Sequence, residues 1–232
     1  MDEQKLDTNV AKGVVVRVPK SAKLREKSYT TEEARRVLKA ALAPPPARTS
    51  SRSALARRWV PWLCAYTGAR VNEITQLRKE DVQQQEGVWL IRITPEAGRV
   101  KTNEARLVPV HAHLVDQGFI KVVQEAGEGP LFFDADRRRG GAGESRQHKK
   151  IGERLAGWVR NEVGINDPGI APNHAWRQTF KTLALEAGIQ ERVADALQGH
   201  APSSVGQTYG HASVKTLSAA MERFPRFEVE GA

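Results

Sequence analysis

Two histidines, an arginine and a tyrosine lie close together in the carboxy-terminal part of the sequence. A helix starting near Asn173 would place His174 and Arg177, three residues apart, as neighbours on one helical face. His200 and Tyr209 follow after a second short helical run and a loop of small residues. Arginine binds phosphate oxygens through a planar fork, histidine transfers protons near neutral pH, and tyrosine can form a covalent intermediate as a nucleophile. These groups suit attack on a phosphodiester, and they do not require a metal ion.

The helix that must position the first two groups has an apolar stripe of its own. The stripe consists of Phe180, Leu183, Ala184 and Ala187, and the helix is predicted to end at Gly188. A buried stripe of this kind would anchor the helix in the core. His174 and Arg177 would then project together from a fixed support.

The spacing of these groups, His-x-x-Arg, then Gly-His, then Tyr209 nine residues later, resembles the carboxy-terminal signature of the tyrosine recombinases, the phage integrase family. Upstream, the segment TGARVNEITQLRKEDV contains Arg70 and Glu73 in the family's Arg-x-x-Glu pattern. The segment GRVKTNEARLVPV contains Lys101 where the family has its β-hairpin lysine. The six elements occur in the family's order over roughly residues 28 to 224, and this joint order is far more specific than any single element.

The resemblance implies an enzyme, a site-specific DNA recombinase or integrase. It would cleave and rejoin DNA strands through a 3′-phosphotyrosyl intermediate, without a cofactor, a metal ion or ATP. Tyr209 would attack the scissile phosphate and expel a 5′ hydroxyl. Arg70 and Arg177 would bind the nonbridging oxygens, whose negative charge grows in the transition state.

The resemblance also implies roles for the remaining site residues. Lys101 would protonate the leaving oxygen, and His174 would act as an acid or base toward the tyrosine. His200 would hydrogen-bond the phosphate, and the Glu73 carboxylate would orient the active-site cations. Gln178 and Gln198 stand where the family often has His and Leu. Neither position moves a proton in this mechanism, so we expect activity to survive.

Two alternatives remain open at this stage. A type IB topoisomerase-like enzyme would use the same constellation to nick and reseal DNA without exchanging partners. A nonenzymatic DNA-binding regulator would keep the fold and lose turnover, but such proteins usually lose the tyrosine or an arginine. Covalent attachment to a nicked substrate would separate the enzymes from the regulator.

Composition indicates an anionic polymer or surface as the partner, and the resemblance implies that this partner is double-stranded DNA. The 232-residue chain has a net charge of +9 and a pI near 9.9. It has no apolar run of eighteen residues and no apolar signal core, so we expect a cytoplasmic protein, bacterial or phage-encoded, with no membrane partner. The single cysteine, Cys64, excludes an internal disulfide and is predicted to be buried. His111 and His113 lack a third ligand, which favours a solvated strand-to-helix junction over a metal site.

The predicted fold is mainly α with a small antiparallel β-sheet, similar to the family's catalytic domain. We expect a basic arm or linker at 1–27, the catalytic domain at 28–224 and a frayed tail at 225–232. A capping box at Thr30 predicts a first helix that reaches Ala43, and three prolines then end it. A loop to about residue 53 precedes a helix that Pro61 should kink or restart.

Strands are predicted at 87–93 and 105–110, with a third short strand in the GRVKT segment between them and Lys101 near its tip. A Gly-rich, basic stretch at 134–150 predicts a mobile loop that enters a helix. Its cations could contact backbone phosphates without reading sequence, and plain disorder of this stretch is the alternative. These candidate DNA-binding residues are Arg137, Arg138, Arg139, Lys149 and Lys150.

A last amphipathic helix is predicted at about 213–223. We expect it to dock on a neighbouring protomer on DNA, in a tetrameric synapse, as the family's terminal helices commonly do; docking on its own chain is the alternative. The family normally has a helical core-binding domain before the catalytic one. Residues 1–27 are too few to form it, so we expect a catalytic fragment or natural truncation that binds DNA weakly.

Overall fold

The computed structural model describes residues 25–97, 104–134, 147–200 and 212–229. Over these ranges the fold is mainly helical with one small antiparallel sheet, as the sequence predicted. The helices are α1 (Thr31–Leu42), α2 (Ser51–Thr67), α3 (Val71–Thr75), α4 (Ala112–Asp116), α5 (Phe119–Glu125), α6 (Gln147–Asn161), α7 (Pro172–Glu186), α8 (Glu191–Gln198) and α9 (Val214–Arg223). The strands are β1 (Val82–Gln85), β2 (Val88–Ile93) and β3 (Arg106–Pro109). Within the same ranges, no helix is long and apolar enough to cross a membrane.

The sheet has the order β1-β2-β3 with antiparallel neighbours, and Ile91 in its centre pairs with Val82 and Val108. The two predicted strands correspond to β2 and β3. The strand β1 was missed because its sequence, VQQQ, has a single apolar residue and therefore no alternation. The predicted strand in GRVKT lies outside the described residues.

The helix α2 forms the centre of the core and packs against α1, α3, α6 and α7. Trp62, Leu63 and Tyr66 are completely buried, and every residue from Trp59 to Thr67 is buried. A helix buried on all sides shows no one-sided apolar stripe. The pair of α2 and α7 therefore forms the support on which the candidate site is built.

Capping residues mark the starts of the first two helices, α1 and α2. Thr30 Oγ1 accepts a hydrogen bond from the Glu33 amide, and the Glu33 carboxylate accepts one from the Thr30 amide, as the capping box predicted. The next helix, α2, begins at Ser51 with Ser50 as its cap, inside the predicted loop. Pro61 was expected to kink or restart this helix; it does not restart it, because α2 continues through Pro61 to Thr67.

Gly68 ends α2 and turns the chain toward the candidate site. Its φ is +59°, a left-handed conformation that favours glycine, and its amide bonds to the Cys64 carbonyl at 3.0 Å. A Cβ at this position would lie 2.6 Å from Gln198 Nε2 and 2.7 Å from Phe180 Cδ1. Both the backbone angle and the close packing of α7 and α8 therefore require glycine here.

Gly68→Ala is expected to destabilise the fold more than Gly118→Ala, the matched control. Gly118 also has a positive φ, +86°, but a Cβ there would meet nothing within 4 Å. The control should cost about 1–2 kcal/mol for the left-handed backbone, and Gly68→Ala should cost roughly 1–3 kcal/mol more for overpacking. Equal urea midpoints for the two variants would show that the close packing around Gly68 does not matter.

Phe227 and Val229, which lie in the tail that we expected to be frayed, are partly buried and pack against the core. Phe224 is buried, its carbonyl is bonded to His111 Nε2 at 3.0 Å, and the Phe227 amide donates to the Tyr66 hydroxyl at 3.0 Å. The His111 ring stacks on Tyr66 with centroids 4.1 Å apart and is buried, so the predicted solvated junction was wrong. Burial lowers the pKa of His111.

The apolar face of α9 already has a partner in its own chain. Leu217, Ala220 and Met221 are buried, and the helix lies against α8 and β3. Docking on a neighbouring protomer would therefore require this helix to leave its present position.

Candidate active site

A pocket of about 400 Å³ opens where the start of α3 faces the start of α7. It brings together two segments that are about a hundred residues apart in the sequence and that were both predicted to carry site residues. The residues that line it are Arg70, Val71, Asn72, Glu73, Asn173, His174 and Arg177.

Arg70 occupies the N-cap position of α3 and has an extended backbone conformation. Its amide donates to Glu73 Oε2 at 3.0 Å, and its guanidinium donates to Glu73 Oε1 at 2.9 Å. The side chain is still 27% exposed. Glu73 thus holds one side of the Arg70 guanidinium, and the other N–H groups of the guanidinium remain available to a ligand in the pocket.

Glu73 is the buried carboxylate that holds two guanidinium groups. Only 2% of its side chain is exposed, and Arg106 Nη2 donates to Oε2 at 2.6 Å. Burial raises the pKa of Glu73, but the charges and hydrogen bonds of Arg106 and Arg70 outweigh it, and the pKa lies below its ordinary value. Glu73 is therefore ionised at neutral pH.

Arg177 is the most buried cation of the pocket, with 4% of its surface exposed. Its Nη1 donates to the Gly68 carbonyl at 2.8 Å and to the Gln198 carbonyl at 2.7 Å. Its Nη2 is buried without a hydrogen-bond partner among the described residues. Burial, with repulsion from Arg70, lowers the pKa of Arg177 to about 10, so the group still carries its charge at neutral pH. An unpartnered, charged N–H donor is suited to bind an anion.

The two histidines border this cationic centre. His174 is exposed on the first turn of α7, and His200 follows Gly199, the residue that caps α8. Burial lowers the pKa of His174, and the charges of Arg177 and Arg70 lower it further. Burial also lowers the pKa of His200, against the opposing effect of Asp195. Both imidazoles are therefore mainly neutral at pH 7.

The model of the family described as "Phage integrase family" matches residues 27–216. The chain belongs to the phage integrase family. Among curated relatives, "Tyrosine recombinase XerA" of Thermococcus kodakarensis is 28% identical over 205 residues, which are 88% of this chain and 65% of the relative. The chain thus spans slightly less than two thirds of that relative.

Solved structures of integrase-family proteins have the same fold. The "Integrase from mycobacterium phage Brujita" superposes with a TM-score of 0.58 at 21% identity, over 93% of this chain and 63% of that one. The structure titled "Crystal structure of XerH site-specific recombinase bound to difH substrate: pre-cleavage complex" gives a TM-score of 0.53 at 16% identity, over 85% and 50% of the two chains. At these identities the similarity concerns the fold alone.

Gln198 stands where the family often has leucine, and in this structure it contacts a site residue. The side chain is completely buried, and its Nε2 donates to the Arg177 backbone carbonyl at 2.7 Å, while the backbone carbonyl of Gln198 accepts from Arg177 Nη1. Gln198 therefore holds the backbone of Arg177 with its side chain and the guanidinium of Arg177 with its backbone. A leucine at this position could not donate that bond.

Arg106 is a site residue that sequence reasoning missed. Besides its bond to Glu73, its Nε donates to the Leu197 carbonyl at 3.1 Å. A Cβ on Gly199 would lie only 2.5 Å from Arg106 Nη1, so the arginine packs closely against the glycine before His200. The available signal was a lone charge in the otherwise apolar strand RLVP, but nothing in the sequence says which carboxylate it meets.

The remaining predicted residues are only partly placed. Lys101, Tyr209 and the three arginines at 137–139 lie outside the described residues. Lys149 and Lys150 are exposed on the first turn of α6. We had assigned them to a loop, but the helix begins at Gln147. In the described part of the chain, no group of three or more His, Cys, Asp or Glu side chains could hold a metal ion.

Proposed function

We propose that this integrase-family protein is a site-specific DNA recombinase that cleaves and rejoins double-stranded DNA through a 3′-phosphotyrosyl intermediate. The observation that supports it best is Arg177, which lines the pocket and whose buried guanidinium has one N–H donor without a partner among the described residues. The matched relatives and structures bear the names recombinase and integrase. They do not favour the topoisomerase-like enzyme or the nonenzymatic regulator.

In this proposal the two arginines bind the scissile phosphate. Arg177 Nη2 and the free N–H groups of Arg70 would donate to the nonbridging oxygens, and Glu73 and Arg106 would keep Arg70 oriented. Because negative charge on these oxygens grows in the pentavalent transition state, preorganised donors stabilise that state more than the ground state.

The proton transfers complete the proposed reaction. The Tyr209 oxygen forms a bond to phosphorus, the bond to the 5′ oxygen breaks, and Lys101 protonates that oxygen as it leaves. His174 takes the tyrosine proton, and His200 hydrogen-bonds the phosphate. A tyrosine has an ordinary pKa of about 10, so nearby cations must assist its deprotonation. The energy of the broken phosphodiester stays in the phosphotyrosine, and religation needs no ATP.

A suicide duplex with a nick beside the cleavage site tests this function. Loss of the short nicked fragment prevents religation, so a covalent protein–DNA adduct should accumulate on a denaturing gel. The cations of the proposed mechanism come from the protein itself, and the adduct should therefore also form in EDTA. Loss of cleavage in chelator, restored by magnesium, would instead indicate a metal-dependent nuclease.

We also propose that protomers self-associate on DNA as a tetrameric synapse through α9. The helix is short, ends at Arg223 and is buried mainly through three small or flexible side chains, so it could exchange between equivalent sites on neighbouring protomers. A covalent crosslink between α9 and β3 of the same chain should then allow cleavage but block synapsis. Normal synapsis by the crosslinked protein would exclude exchange of this helix.

A further inference from the structure

An aspartate on α8 contacts one nitrogen of His200. Asp195 Oδ1 lies 2.8 Å from His200 Nδ1, and the same oxygen lies 2.6 Å from Lys181 Nζ. The carboxylate is 27% exposed and the imidazole 40% exposed, so the pair lies at the surface of the site and not in the core. Core packing therefore does not explain why Asp195 lies next to His200.

The protonation state of Asp195 decides which nitrogen of His200 carries a proton. Burial raises the pKa of Asp195, but hydrogen bonds from Lys181 and His200 outweigh this effect and bring the pKa below its ordinary value. An ionised carboxylate only accepts hydrogen bonds. His200 must therefore carry hydrogen on Nδ1, which leaves Nε2 as the nitrogen that can meet a ligand.

Lys181 holds the aspartate in this orientation. It lies one helical turn after Arg177 on α7, and it also contacts Glu191 at the start of α8 at 3.2 Å. The ammonium thus ties α8 to the same helix that carries the buried arginine. Through this contact the position of His200 is coupled to that of Arg177.

We propose that Asp195 is a positioning residue for His200, an inference that rests on the proposed function. A neutral His200 with hydrogen on Nδ1 has only a lone pair at Nε2, so it can donate to a phosphate oxygen only after gaining a second proton. The Asp195 carboxylate stabilises that imidazolium against the opposing charges of Arg177 and Lys181. Asp195 therefore both orients the ring and favours the form that binds phosphate.

Imidazole nitrogen NMR spectroscopy of the full chain tests the orientation directly. The His200 signals are assigned by their loss in His200→Gln. In the wild type, we expect a protonated, pyrrole-type Nδ1 and an unprotonated Nε2 at neutral pH. Asp195→Leu should shift the ring toward the opposite tautomer, and Asp195→Asn should lower the pKa of His200. Glu191→Gln is the matched control, because Glu191 contacts Lys181 but not His200, and it should change neither property.

Single-turnover cleavage of the suicide duplex tests the consequence for catalysis. Asp195→Leu should reduce the rate about 10- to 100-fold, the usual loss when a group that orients a site ligand is removed, and Asp195→Asn should restore part of it. An unchanged tautomer or an unchanged rate in Asp195→Leu, with thermal unfolding as in the control, would overturn the inference. If the wild type itself forms no adduct, the proposed function fails, while the NMR measurement still decides whether Asp195 orients His200.

Discussion

Tyr209→Phe is expected to abolish covalent attachment to DNA while leaving DNA binding intact. The substitution removes only the oxygen that would bond to phosphorus. The chain has three tyrosines, and the other two serve the fold. Tyr29 is buried and donates to the Pro172 carbonyl at 2.8 Å, and Tyr66 is buried with its hydroxyl 2.7 Å from His113 Nδ1. Burial raises the pKa of both groups, which makes either a poor nucleophile.

The measurement is adduct formation on a denaturing gel, alongside a binding titration with the same duplex. Loss of a covalent nucleophile typically lowers the rate on the order of a millionfold, so no adduct should be detectable. Tyr29→Phe is the control: it removes a phenol elsewhere in the chain and should still form adducts. Adduct formation by Tyr209→Phe would show that another residue is the nucleophile.

Arg177→Lys is expected to lower the cleavage rate about 100- to 1,000-fold, although it keeps the positive charge. Arg177 donates to the Gly68 and Gln198 carbonyls through Nη1, and Nη2, which has no partner among the described residues, is the proposed donor to the phosphate. A lysine ammonium is a single donor group at the end of a flexible chain, so it cannot contact the two backbone carbonyls and the phosphate at the same time. The variant must then lose the phosphate contact or leave buried carbonyls without a donor.

Two measurements separate these consequences. Single-turnover cleavage reports the phosphate contact, and urea unfolding reports the buried carbonyls, whose loss of a donor should cost about 1–3 kcal/mol. Arg223→Lys is the matched control, because Arg223 is exposed at the end of α9 and should tolerate the change in both assays. A cleavage rate within a few-fold of the wild type would contradict the proposed role of the Arg177 fork.

Features with local causes could be predicted from the sequence. The capping box of Thr30 and Glu33 positions α1 through contacts three residues apart. Pro172 suits the first turn of α7, and the helix then places His174 and Arg177 beside one another because three residues are close to one turn. The family resemblance also came from order and spacing along the chain, and the matching family model confirmed it.

What the sequence could not predict depends on which distant segments meet. Glu73 and Arg106 are 33 residues apart, and Arg106 and Leu197 are 91 apart, so no local pattern relates them. The burial of His111 was missed for the same reason, because the ring becomes buried only when Tyr66 and the segment after α9 fold over it.

The sequence by itself therefore determined the types of the candidate site groups and the helices that hold several of them. The tertiary structure decided which donors are used and which stay free. Arg177 Nη1 donates to two backbone carbonyls because the ends of α2 and α8 converge on it, and Nη2 has no partner among the residues that the structure describes. Asp195 likewise meets His200 because Gly199 ends α8 in a left-handed conformation, φ +68°, that turns the chain back toward the helix. Which donor and acceptor atoms meet is thus decided by packing between distant segments, and the spacing of residues along the chain does not specify that packing.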